Sequence, residues 1–138
     1  MLRRHDTLVL REVGLVLDAG ALIAFDRGDR EVAALVEATR RRREKILTSS
    51  GCVAQAWRSG GSRQALLARL LQGVDERPLD PSGSRNVGAL CAKATAADVV
   101  DAHVALLADD PDIVLTSDVD DLQELLIAAG SAATVRRC

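Results

Sequence analysis

The sequence predicts an α/β fold, in which a central, mainly parallel sheet carries helices on both faces. Three observations predict it. Short apolar runs alternate with longer amphipathic stretches along the chain. At 138 residues and 48% hydrophobic content, the chain suits one compact domain, 1–138, with a real core. Two of the short runs, "LVLD" and "VLTSD", end in an aspartate. Parallel sheets place their chemistry at such carboxyl strand ends.

The elements follow in order. Val13–Leu17 is short, apolar and partly β-branched, a strand. Ala19–Phe25 reads as a helix, broken at Gly28-Asp29, and Asp29 is placed to cap the next one, "REVAALVEATRRRREK". "KILTS" is the second strand, with Ser49 or Ser50 capping a helix through Trp57. "SRQALLARLLQG" is an amphipathic helix ended by Gly73. "VDERPLD" carries Pro78 and reads as an edge strand. Pro81 opens a helix running to about Thr95. "ADVVDAHVALLADD" is a helix stopped by Pro111, and "DIVLTS" a strand. "DVDDLQELLIAAG" is a helix ending at Gly130, and "AATVRR" is the last candidate strand, the fifth.

Composition excludes several functions. One Phe, one Trp and no Tyr leave nothing for a base-stacking platform. A net charge of −2 gives no global attraction to nucleic acid. Cys52, Cys91 and Cys138 form no C-x-x-C pair, so neither zinc nor a disulfide framework is expected. "MLRRHDTLVLRE" is too interrupted for a secretory signal or a membrane span. The expected compartment is cytoplasmic. G-x-G-x-x-G, G-x-x-x-x-G-K-[ST] and G-x-S-x-G are all absent.

The acids are the chemical signal. Asp18 interrupts an apolar segment, where a desolvated charge costs several kcal/mol unless paired or metal-bound, by a rough general scale. Asp98 and Asp101 are three apart near a helix start and share a face. Asp118, Asp120 and Asp121 follow the late strand. Capping alone accounts for an Asp at position 98 or 118, and turn formation for Asp26 and Asp29. Converging carboxylates repel one another, and a divalent cation relieves the repulsion. All-oxygen ligands favour Mg²⁺, with Mn²⁺ as a substitute, and suit phosphodiester hydrolysis.

"LVLDAGALIAFDRGD", "VAQAWRSGGSRQALLARLL", "TAADVVDAHVALLA" and "VLTSDVDDL" together resemble PIN-domain ribonucleases, specifically VapC-type toxins of bacterial toxin–antitoxin pairs. The likeness covers about Leu15 to Leu126, in the family's order. It implies a PIN-like three-layer α/β/α sandwich of about five strands, a Mg²⁺-dependent endoribonuclease activity and a cognate antitoxin partner; a homodimer is also expected. The family's first, third and last acids fall on Asp18, Asp98 and Asp118, with Asp101 and Asp121 as further metal ligands. Thr116 stands where the family often places a hydroxyl. The second acid falls on Gln55, which keeps an oxygen but loses a charge. Asp101 is the candidate to restore it. The competing reading is a catalytically impaired PIN-like module that binds RNA or protein.

Beyond the acids, Arg40, Arg41, Arg42 and Arg43 form a basic run that either complements a helix end or contacts RNA phosphates. Trp57 reads as packing, and His103 as a weak general-base candidate. Leu66, Leu67, Leu70 and Leu71 form a stripe for the core, a homodimer or an antitoxin helix.

Overall fold

A computed structural model describes residues 13–95 and 98–138. The Met1–Glu12 stretch read above, with His5, lies outside the described residues. Among the described residues five strands form one sheet: β1 (Leu15–Leu17), β2 (Ile46–Ser49), β3 (Asp75–Arg77), β4 (Ile113–Thr116) and β5 (Thr134–Arg137). Their order is β3-β2-β1-β4-β5, and every pairing is parallel. The register sets Leu17 beside both Thr48 and Leu115.

Seven described α-helices cover the sheet: α1 (Ala19–Asp26), α2 (Arg30–Arg41), α3 (Ser50–Ala56), α4 (Ala65–Leu71), α5 (Pro81–Ala94), α6 (Val99–Leu107) and α7 (Val119–Ala128). On one face α1 packs against α2, α3 and α4; on the other, α5, α6 and α7 all pack against one another. The expected three-layer α/β/α sandwich is the observed one. β1 is buried along its whole length because both faces are covered, which is why it reads as an unbroken apolar run. Leu22, Val36, Leu67, Leu70, Leu122, Leu125 and Leu126 belong with it to one continuous core. The edge strand β3 is exposed throughout and carries only charged residues, which blunts unwanted pairing.

Local chemistry explains where the helices stop. α2 ends at Arg41, before Lys45, because Arg43 takes a left-handed φ of 59° and the Glu44 N–H closes back on the Thr39 carbonyl. The predicted helix from Ser62 is divided into a 3₁₀ turn, Ser62–Gln64, and α4. The Gln64 side chain is spent on the preceding loop. Its Oε1 accepts the Arg58 and Gly60 N–H groups, and its Nε2 donates to the Ala56 carbonyl. Trp57 is half-buried and packs against the core and over Gly60, where the φ of 75° and the indole both favour glycine. Of the leucine stripe, Leu67 and Leu70 are core while Leu66 is exposed. α6 stops at Leu107. Beyond it the buried Asp112 carboxylate accepts the Asp109 and Gly14 N–H groups and pairs with Lys45, pinning the amino ends of β1 and β4 together.

Candidate metal centre

Strand order reverses between β1 and β4, since the chain builds outward from β1 to β2 and β3 and then crosses to β4 and β5. A reversal of this kind opens a crevice at the carboxyl ends of the two central strands. Asp18 follows β1 and Asp118 lies two residues beyond β4, so both acids stand at that crevice.

Asp18 is only 3% exposed. It caps α1, with Oδ1 accepting the Ala21 N–H at 2.9 Å. Its Oδ2 accepts the Thr116 hydroxyl at 2.5 Å. Burial raises its pKa, the Thr116, Ala21 and Ser117 hydrogen bonds pull it back, and the charge of Asp118 raises it further. The expected cost of a charge here is therefore met in part by local donors.

Asp118 also occupies an N-cap position, at the start of α7, yet its carboxylate makes no capping hydrogen bond. Asp18, Asp29, Asp80 and Asp98 all use theirs to cap. The Asp118 backbone N–H instead donates to Thr116 Oγ1 at 2.8 Å. The simple capping account of Asp118 thus fails, and its exposed carboxylate is left for other work.

That carboxylate meets two others. One oxygen each of Asp101, Asp118 and Asp121 lie within 4.8 Å of one another. Asp118 is the N-cap of α7 and Asp121 lies in its first turn, while Asp101 comes from the first turn of α6, which packs beside it. Asp101 is 8% exposed, and its pKa is raised to about 7. Burial is the main cause, followed by the charges of Asp98, Asp118, Asp18 and Asp121 in that order. Asp101, expected to assist, is the residue on which the field of all the others converges.

Asp98 stands apart from this triad. Its Oδ1 accepts the Asp101 N–H at 2.8 Å and caps α6, and the residue is exposed. Asp98 therefore orders the turn that presents Asp101. Asp120 is exposed, Asp26 accepts the Leu67 N–H and ties α1 to α4, and Asp29 caps α2 through the Val32 N–H. Gln55 is exposed on α3, one turn beyond the buried Cys52. Burial and the charge of Asp18 push that thiol up to about 12, so Cys52 is a neutral group beside the acid.

An all-oxygen, mutually repelling set with one buried member suits a hard divalent cation such as Mg²⁺. Asp101, Asp118 and Asp121 are the residues that would hold it, with Asp18 adjoining. The burial of Asp101 depends on α6 and α7 packing together, which the sequence does not display. Its three-residue spacing from Asp98 was the available signal.

The basic run lies elsewhere. Arg40 and Arg41 close α2, which delivers the chain to the amino end of β2, opposite the acids. Arg41 pairs with Glu37, and Arg42 donates to the Val13 carbonyl just before β1. Any RNA these arginines touch is separated from the acids by the length of the sheet. His103 is buried, with Nδ1 2.7 Å from Ser49 Oγ; burial lowers its pKa and Asp80 offsets this in part. It fastens α6 to the start of α3.

No family model matches the chain, and no curated protein matches it. Among solved structures, the fold is similar to a chain in the crystal structure of VapBC2 from Rickettsia felis bound to a DNA fragment from their promoter. The TM-score is 0.65 at 10% sequence identity, over 91% of this chain and 99% of that one. At that identity the likeness is one of fold, and the fold is the PIN-like sandwich that the sequence motifs suggested. No helix among the described residues is long and apolar enough to cross a membrane.

Proposed function

We propose that the chain is a Mg²⁺-dependent endoribonuclease acting as the toxin of a toxin–antitoxin pair. The observation that carries this reading is the triad of Asp101, Asp118 and Asp121 at the strand-order reversal, with Asp18 beside it. A bound Mg²⁺ would supply charge for the phosphate oxygens and acidify an attacking water. The protein's own part is positional. Thr116 holds the Asp18 carboxylate and the Asp118 backbone, Asp98 holds the turn bearing Asp101, and α6 and α7 bring the three acids together. The like charges keep the metal-free site strained electrostatically, which favours cation capture.

A cognate antitoxin and a homodimer are the partners proposed with this role, in the cytoplasm. The structural neighbour is itself a VapBC2 assembly on promoter DNA. The second reading, an RNA- or protein-binding module without cleavage, rests on Gln55 standing where the family's second acid falls.

One assay separates the two. Single-stranded RNA is incubated with the protein in Mg²⁺, in Mn²⁺ and in EDTA, beside Asp118→Asn. Cleavage that needs the metal and is lost in the variant supports the nuclease. RNA retention in EDTA without cleavage in metal supports the binding module.

A further inference from the structure

We propose that the cleft beside α1 is a subsite for the RNA backbone, with Arg27 as its phosphate contact; this rests on the RNA-cleavage reading above. The cleft has a volume of about 590 Å³ and is lined by Gly20, Ala24, Arg27, Gly28 and Ser117, among others. Its inner end adjoins the acids directly. A Cβ placed on Gly20 would stand 3.3 Å from Asp18 Oδ1 and 2.8 Å from Ser117 Cβ, and Ser117 immediately precedes Asp118. Its outer end is marked by Arg27, the C-cap of α1, about 10 Å along the helix axis from Gly20.

The chemistry of the site requires such a cation. Asp18, Asp101, Asp118 and Asp121 stand close enough to feel one another's charge, more than one divalent cation would offset, and the excess repels the substrate's phosphates on either side of the bond to be cut. Affinity for RNA must then come from a positive group just beyond the acids. The Arg40–Arg43 run cannot supply it there, being at the other end of the sheet. Arg27 is exposed, and its side chain makes no ion pair with a described residue. Helix-end complementation alone would leave Arg27 there too, but it does not predict an adjoining cleft.

The rest of the lining is compatible with a sugar–phosphate chain. Gly28 has open space where a side chain would stand, Ala24 is small, and Ser117, seated against Gly20, is exposed with a hydroxyl as a polar group. Asp29 also faces the cleft and keeps its charge while it caps α2 through the Val32 N–H, so Arg27 is the cation that offsets it there; the half-buried Cys138 thiol, pushed up to about 11 by burial and by Asp18 and Asp29, carries no charge.

The test uses the full chain, with Arg27→Ala, Arg27→Lys and, as a loss of charge at the other end of the sheet, Arg69→Ala in the last turn of α4. Steady-state cleavage of a short single-stranded RNA in Mg²⁺ is measured at several salt concentrations. Arg27→Ala is expected to raise KM about tenfold with kcat nearly unchanged, and to lower the salt slope by about one. Arg27→Lys recovers most of the affinity, Arg69→Ala behaves as wild type, and Mn²⁺ affinity is the same in all four. Wild-type KM in Arg27→Ala, or an equal loss in Arg69→Ala, overturns the subsite while leaving the nuclease reading intact. A wild-type protein that neither cleaves nor retains the RNA overturns both.

Discussion

One hydroxyl joins the two central acids: Thr116 Oγ1 donates to Asp18 Oδ2 and accepts the backbone N–H of Asp118. Thr116 is the last residue of β4 and fully buried, so the strand end itself sets the spacing between β1 and α7. Thr116→Val keeps the shape and removes both bonds. It should destabilise the protein by about 1–3 kcal/mol, the cost of leaving a buried acceptor unpaired. It should also weaken Mn²⁺ binding at least several-fold, whereas Thr116→Ser restores both properties. Urea unfolding and calorimetric Mn²⁺ titration check this, and a valine variant with wild-type Mn²⁺ affinity would remove Thr116 from the site.

Asp101 gives the metal-free protein a pH dependence of unusual sign for a carboxylate. Its folded pKa of about 7 lies above its ordinary 3.8, so between those values the folded state binds more protons than the unfolded one. The stability it contributes is complete below about pH 4 and is lost as pH rises through about 7. Asp101→Asn should therefore stabilise the metal-free protein at pH 8 by roughly 2–4 kcal/mol and flatten its stability profile between pH 4 and 8. Divalent cation should restore wild type at pH 8 and stabilise the variant much less. Denaturation in EDTA across that range is the measurement. Parallel profiles for the two proteins would show that the acids do not couple as described.

Asp98 separates capping from ligation. Asn keeps the oxygen that accepts the Asp101 N–H, while Ala removes it. Asp98→Ala should cost about 1 kcal/mol of stability and Asp98→Asn only a few tenths. Asp98→Asn should also lower the Asp101 pKa, since Asp98 is its largest charged neighbour. Because the triad excludes Asp98, its Asn variant should weaken Mn²⁺ binding less than Asp118→Asn. The reverse ranking would move Asp98 into the metal shell.

The alternation of apolar runs and amphipathic helices carries the fold almost completely, because β1 and β4 are covered by helices and read as short apolar runs, β4 up to Thr116. Helix ends were less legible. Whether α2 stops at Arg41 or Lys45 depends on a left-handed Arg43 that no composition signal marks. The acids at positions 18 and 118 were visible because each follows a strand. Their division of labour was not, since it turns on which carboxylate is already spent on a backbone N–H. The place of Arg40–Arg43 was readable in principle. A helix that feeds the amino end of a parallel strand must finish on the side away from the ligand crevice.

Gln55 offers the sharpest test of whether this site is weakened or complete. It lies one turn along α3 from Cys52, and Cys52 is close enough to Asp18 for that charge to raise its pKa. The residue is exposed, so an added carboxylate carries little burial cost. Gln55→Glu is nearly isosteric and adds one negative charge on the helix that carries Cys52. If the crevice binds Mg²⁺ with too little charge, the variant should tighten Mn²⁺ binding about tenfold and raise cleavage at low Mg²⁺, with a smaller gain at saturating Mg²⁺. If Asp101 already supplies the missing charge, Gln55→Glu changes neither quantity, and the double variant with Asp101→Asn regains part of what Asp101→Asn alone loses. Mn²⁺ titration of the four proteins of this cycle measures the coupling between residues 55 and 101 directly. Strictly additive effects would show that Gln55 and Asp101 do not serve the same ion.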